Sequence, residues 1–191
     1  MVQISLPQNS KIEKGKYYKD KTGSKNLRKV NIYRWDPSTG ENPRIDTYEV
    51  DMDNCPSKVL DLLNKIKNEI DSSIAYRRSC AHGVCGSCAM NMDGKNGLAC
   101  TKPHSEIKGD INIYPLPHLR VQKDLIGDLS TLYKQYASVE PWLKNSNNKS
   151  EKENFQSKED RAKLDGLYEC IMCACCSCLL YTSPSPRDSR R

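Results

Sequence analysis

The chain has 191 residues, with 30 basic against 24 acidic side chains and a net charge of +6. That length allows one or two small domains, and the charge excess is too mild and too dispersed to call for a nucleic-acid partner. No run approaches the roughly 18 to 20 apolar residues that a membrane-spanning helix requires, so the sequence predicts no bilayer crossing of its own. Ten cysteines are present, and Met1-Val2-Gln3-Ile4-Ser5 has nothing of the apolar core of a secretory signal. Together these point to metal ligation in a reducing compartment rather than to a disulfide framework.

The basic excess is concentrated near the start, where Lys11, Lys14, Lys16, Lys19, Lys21, Lys25, Arg28 and Lys29 stand against Glu13 and Asp20. Residues 1–28 read as a basic N-terminal arm, either a solvated, flexible leader or an arm that lies on an acidic partner or anionic membrane surface. Lys29 to Trp35 is β-branched and aromatic, and Asp36-Pro37-Ser38-Thr39-Gly40 is turn chemistry, so a strand ends there. Arg44 to Met52 sets Tyr48, Val50 and Met52 on one face and predicts a second, half-buried strand. From Asn54 or Ser57 as cap, Val59, Leu62, Leu63, Ile66 and Ile70 recur at helical spacing, with Pro56 tolerable in the first turn. Cys55, near that helix start, reads as a half-buried structural thiol, with a dipole-activated thiol as the alternative.

Next comes Ser79-Cys80-Ala81-His82-Gly83-Val84-Cys85-Gly86-Ser87-Cys88, answered by Gly97-Leu98-Ala99-Cys100. Cys-x4-Cys-x2-Cys with a distant fourth cysteine is the plant-type pattern in which four thiolates hold a 2Fe-2S cluster in one loop. Such a loop needs positive φ and close backbone approach, expected at Gly83, Gly86 and Ser87, with backbone N–H groups turned toward the sulfurs. Zinc is a rival, but zinc ribbons use two short cysteine pairs and only one gap here is short. His82 reads as an exposed loop residue; a Rieske-type role would need a second histidine where Cys88 stands. Arg77-Arg78, just before the loop, is a solvated pair or a contact to a partner or to the anionic cluster.

After the loop, Ala89-Met90-Asn91-Met92 predicts a strand, Asp93 to Gly97 a turn that returns Cys100, and Gly109 to Pro115 a closing strand. Strand pair, helix, cysteine loop, hairpin and final strand is the order of a β-grasp ferredoxin. Pro115-Leu116-Pro117-His118 marks a domain boundary. Beyond it Leu125, Leu129, Leu132, Tyr133 and Tyr136 predict a helix over Asp124 to Tyr136, stopped at Glu140-Pro141-Trp142 and followed by a polar loop from Asn145 to Glu153. The fold class expected is α+β: a β-grasp domain over 29–118, then a partial α-helical ferredoxin-type domain over 119–177.

A second cysteine run, Cys170-Ile171-Met172-Cys173-Ala174-Cys175-Cys176-Ser177-Cys178, opens as the Cys-x2-Cys-x2-Cys of a 4Fe-4S ferredoxin. The position where that run carries its next cysteine is Leu180, so the pattern begins and then breaks. Residues 178–191 have the Ser, Pro and Arg bias of disorder and read as a tail foreign to the rest.

Arg77-Arg78-Ser79-Cys80, the segment from Gly83 to Met90, Leu98-Ala99-Cys100, Asp110 to Pro117 and Leu164 to Cys176 resemble the iron-sulfur subunits of succinate dehydrogenase, with fumarate reductase subunits as close siblings. The resemblance covers about Lys29 to Ser177. It implies a relay in which electrons from an FAD-containing flavoprotein pass through 2Fe-2S, 4Fe-4S and 3Fe-4S centres to ubiquinone, next to membrane anchor subunits. Carried over by position, Cys80, Cys85, Cys88 and Cys100 hold the 2Fe-2S cluster. Cys170, Cys173 and Cys176 supply three ligands of the 4Fe-4S cluster, and Cys175 falls where the family has a cysteine that ligates nothing. A fourth 4Fe-4S cysteine and the 3Fe-4S ligands are missing after Ser177. No catalytic acid, base or nucleophile is expected, since succinate chemistry belongs to the flavoprotein. The location implied is the cytoplasmic side of a bacterial inner membrane, with the mitochondrial matrix side as alternative. A free-standing ferredoxin and a zinc-binding interaction module are the readings that compete with it.

Overall fold

The computed structural model describes residues 11–142, 144 and 155–178. A six-stranded mixed sheet is built from β1 (Glu13–Tyr18), β2 (Leu27–Arg34), β3 (Arg44–Asp51), β4 (Ala89–Met92), β5 (Lys95–Leu98) and β6 (Ile111–Tyr114). Their spatial order is β1-β3-β2-β6-β4-β5. β2 and β3 form the expected hairpin, antiparallel from Leu27 opposite Asp51 to Arg34 opposite Arg44, while β6 runs parallel to β2 at the centre. Alternation decides which face is buried: Val30 and Ile32 of β2, Tyr48 and Val50 of β3, and Ile111 and Ile113 of β6 are all 0–1% exposed.

Helix α1 (Val59–Lys65) covers that face with Val59, Leu60, Leu62 and Leu63. Each fully buried aliphatic side chain of this kind contributes about 1.5–3 kcal/mol. The cap is not Asn54 or Ser57: Lys58 is the capping residue, its amide bonded to the Asp61 carboxylate. Past Lys65 the chain winds into a π-helical turn, Ile66–Ile70, which keeps Ile66 buried but turns Ile70 out to 37% exposure, so the expected stripe ends one turn early. Cys55 is half-buried and burial pushes its thiol up, in keeping with the structural reading.

Three expectations are corrected. The basic arm is not a free leader over its described part. Glu13–Tyr18 pairs in parallel with β3, Gly15 passes so close to Asp46 that a Cβ would lie 2.6 Å from the Ile45 carbonyl, and Tyr18 stacks on Tyr48 at 4.6 Å. The turn expected over Asp93 to Gly97 shrinks to Asp93-Gly94, both at positive φ as a two-residue hairpin turn requires, and Lys95 to Leu98 is strand. The helix expected from Asp124 starts at Ser130: Val121–Lys123 (β7) and Ile126–Gly127 (β8) make a small hairpin, and Leu125 packs into the first core. Helix α2 (Ser130–Val139) stops at Glu140, which takes the left-handed conformation before Pro141. A short helix α3 (Lys158–Ala162) precedes the second cysteine run. The polar loop over Asn145 to Glu153 and the tail after Cys178 lie outside the described residues.

A buried ionic cluster locks these parts together. The Arg34 guanidinium, 4% exposed, donates to Asp124 (3.1 Å), Asp71 (2.6 Å), Tyr48 (2.8 Å) and Ser73 (2.8 Å), and lies 3.4 Å from Asp46. Asp124 also accepts from the amides of Trp35 and Ala75, both at 2.9 Å. The end of β2, the approach to the cysteine loop and the β7–β8 hairpin are thereby joined at one guanidinium.

Candidate iron-sulfur site

The β4–β5 hairpin brings the last two cysteines of the first constellation together. Cys88 immediately precedes β4 and Cys100 follows β5, with the Ala99 amide bonded to the Cys88 carbonyl at 3.1 Å. The amino end of α1 fixes the returning strand from the other side, through Val59 N–H to the Lys102 carbonyl and Leu60 N–H to the Ala99 carbonyl, both 2.9 Å. Arg28 braces the next segment by donating to the carbonyls of His104, Ile107 and Gly109.

The loop from Cys80 to Cys88 curls around its own sulfurs. Amides of His82, Val84 and Cys85 approach Cys80 Sγ at 3.3–3.4 Å, and the Gly83 amide donates to Cys100 Sγ at 3.2 Å. The curl uses positive φ at Gly83 and Gly86, as expected, but the third such residue is Ala81, not Ser87. Ser87 acts through its hydroxyl, 3.0 Å from Cys85 Sγ, and this bond leads the effects that push the Cys85 thiol down to about 6. Burial pushes Cys88 up, against bonds from the backbone of Cys100 and Ala99.

Cys80 and Cys85 stand at one end of the loop, and Cys88 and Cys100 are brought together by the β4–β5 hairpin. Among the described residues no three His, Cys, Asp or Glu side chains converge as a site for a single metal ion. Four thiolates are the ligand set of a plant-type 2Fe-2S cluster. The donor set, the inward N–H groups and the tight loop therefore fit a binuclear iron-sulfur cluster. His82 is exposed, as its reading as a loop residue requires.

Arg77 is not a solvated residue. Its guanidinium donates to the Gly127 carbonyl at 2.9 Å and to Gln122 at 3.2 Å, so it ties the entry of the cysteine loop to the β7–β8 hairpin; Arg78 is exposed. No sequence signal separated these two arginines.

In the second constellation Cys170 and Cys176 are exposed, and Cys173 and Cys175 are half-buried. Burial first, then the neighbouring Cys173 thiol, pushes the free Cys175 thiol up to about 12. Cys178, 2% exposed, packs with Leu116 and Ala174. Met172 and Ala174 both take positive φ, so this run is a strained, irregular loop and not a helix.

The 2Fe-2S iron-sulfur cluster binding domain family matches residues 29–134. The chain is 61% identical, over 93% of its length, to the succinate dehydrogenase iron-sulfur subunit of Paracoccus denitrificans. It belongs to that family. Its structure is also similar to a chain of the Mycobacterium smegmatis Sdh1 complex in the apo form, at a TM-score of 0.70 and 25% identity, over 83% of this chain. It spans 68% of the first relative's length and 65% of the second's. The α+β ferredoxin-type fold and iron-sulfur cofactors expected from the sequence are those of succinate dehydrogenase iron-sulfur subunits. Such a subunit has an electron-transfer role within an oxidoreductase complex. No helix among the described residues is long and apolar enough to cross a membrane.

Proposed function

We propose that this chain carries electrons from an FAD-containing flavoprotein, where succinate is oxidised, toward ubiquinone held by membrane anchor subunits. In this reading it sits peripherally on the cytoplasmic side of a bacterial inner membrane. Cys80, Cys85, Cys88 and Cys100 are the ligands of the 2Fe-2S cluster, and Cys170, Cys173 and Cys176 are ligands toward a 4Fe-4S cluster. The observation that carries this is a cysteine loop whose amides point at the sulfurs of Cys80 and Cys100, with Cys100 returned beside Cys88 by the hairpin.

A bound cluster supplies reversible one-electron chemistry. The chain's part is to hold the thiolates, limit water and set the potential. Amides of His82, Gly83, Val84 and Cys85 favour the more negative, reduced state, as N–H donors to sulfur do. Ser87 adds a hydroxyl to the same task.

Iron and acid-labile sulfide analysis with electron paramagnetic resonance of the reduced protein tests this. Wild type is expected to show a 2Fe-2S signal, and Cys100→Ala to lose it. Cys85→Ser is expected to disturb the signal. A colourless protein with one zinc and no sulfide would overturn the assignment.

A further inference from the structure

Gly83 is the half-buried member of an otherwise exposed stretch, Ala81 to Cys85. What shields it is Thr101. A Cβ placed on Gly83 would lie 2.8 Å from the Thr101 Cγ2 methyl, and among the described residues no other atom outside its chain neighbours comes within 4 Å of that point. The contact matters because of what Gly83 does: at φ +77° its amide donates to Cys100 Sγ at 3.2 Å.

Thr101 is itself a fixed support. Its hydroxyl and its amide both donate to the Leu98 carbonyl at 3.1 Å, and a β-branched side chain with one branch bonded has little freedom about χ1. The residues that flank Cys100 and Thr101 are pinned in turn. The carbonyls of Ala99 and Lys102 accept the amides of Leu60 and Val59 at the start of α1, both at 2.9 Å. The firm end of the helix thus reaches the exposed loop through one methyl group.

We infer that Thr101 is a positioning residue: its methyl keeps the Gly83 amide aimed at Cys100 Sγ and, through that bond, tunes the reduction potential of the 2Fe-2S site. This rests on the assignment of Cys100 as a ligand of that cluster. Reduction adds one electron at the site, and no bond or proton changes place. An N–H donor to a ligand sulfur favours the added negative charge, so a loosened Gly83 amide makes reduction harder.

The test is a redox titration of the 2Fe-2S signal by electron paramagnetic resonance in the wild type, Thr101→Ser, Thr101→Ala and Thr101→Val. Thr101 is exposed, so these changes leave the core intact. Thr101→Ser keeps the hydroxyl and loses the methyl, whereas Thr101→Val keeps the methyl and loses the hydroxyl. Thr101→Ser and Thr101→Ala are expected to retain iron and sulfide but to lower the midpoint potential. At the wild-type midpoint their ratio of reduced to oxidised protein is expected to fall about two- to tenfold, the worth of one hydrogen bond. Thr101→Val is expected to keep the wild-type potential. Hydrogen exchange over 81–85 is expected to rise in Thr101→Ser and Thr101→Ala and to stay unchanged in Thr101→Val. A wild-type potential in Thr101→Ser, or an equal fall in Thr101→Val, would overturn the inference. A wild-type protein with neither a 2Fe-2S signal nor acid-labile sulfide would instead overturn the ligand assignment on which it rests.

Discussion

At the scale of single residues, Arg34 has the most to lose. It is buried among three aspartates, Asp46, Asp71 and Asp124, and its removal leaves Asp71 and Asp124 without a cation in the interior, while Asp46 keeps Arg44 at 3.0 Å. Arg34→Ala is expected to lower unfolding free energy by about 3–5 kcal/mol in urea titrations. A pH effect follows from Asp71. Burial acts to raise it, but bonds from the Ser73 hydroxyl and amide, Arg34 and Tyr48 outweigh burial and hold the carboxyl well below the usual range. The unfolded carboxyl takes up its proton near about 3.9 and the folded one only lower. From about pH 4 downward the unfolded state therefore binds more protons, and stability falls. Above that range the contribution is complete. Asp71→Asn is expected to flatten this part of the acid limb, measured as denaturant midpoint against pH. None of this was legible beforehand. The cysteines and glycines of the loop declare themselves because their chemistry is local, whereas Arg34 finds its partners 12, 37 and 90 residues away. A charged residue at the end of a strand reads as solvated until those partners are known. Asp46 left a faint trace, since it shares the alternating face of Tyr48 and Val50.

At the scale of elements, β1 shows how a strand can hide in a basic segment. Its lysines suit an edge, where they discourage pairing with other chains, and its pairing partner is made 30 residues later. Composition alone reads such a segment as an arm. The same contact predicts its weak point: in Gly15→Val the new side chain collides with Asp46 and the Ile45 carbonyl. β1 is expected to detach, raising hydrogen exchange over residues 13–18 and protease cutting after its lysines, while the 2Fe-2S signal persists because no ligand lies on it. In the β4–β5 hairpin, by contrast, the first strand lies where the sequence predicts it and Asp93-Gly94 makes the turn, but Lys95 to Gly97, expected in the turn, belong to β5. The β7–β8 hairpin went unpredicted. Leu125 and Leu129 fit a helical period, but Leu125 is claimed by the sheet core and Asp124 by Arg34, and those long-range contacts override the local pattern.

At the scale of the whole molecule, scaffold and cofactor divide the work unevenly. The sheet and α1 bury an aliphatic core that takes in Cys88 and Cys100 at its margin, while the loop from Ala81 to Cys85 is exposed or half-exposed and held mainly by bonds to sulfur. Removal of the cluster with acid and chelator is therefore expected to leave the sheet's far-ultraviolet dichroism intact. Hydrogen exchange is expected to rise over 80–88, and the unfolding free energy from denaturant titration to fall by the binding free energy the cluster contributes. Loss of the sheet with the cluster would show instead that the metal directs the fold.

The central place of β6 also has a consequence for biosynthesis. β6 supplies the strand beside β2, and Asp124 completes the charge cluster of an arginine made 90 residues earlier. A ribosome releases the chain from its amino end, so Cys80 through Cys100 emerge before the strand that seats their scaffold exists. For that interval the nascent chain displays four bare thiols on an unfinished sheet. Stable cluster binding is thus expected only after Asp124 has been made, and chains halted before it are expected to hold none.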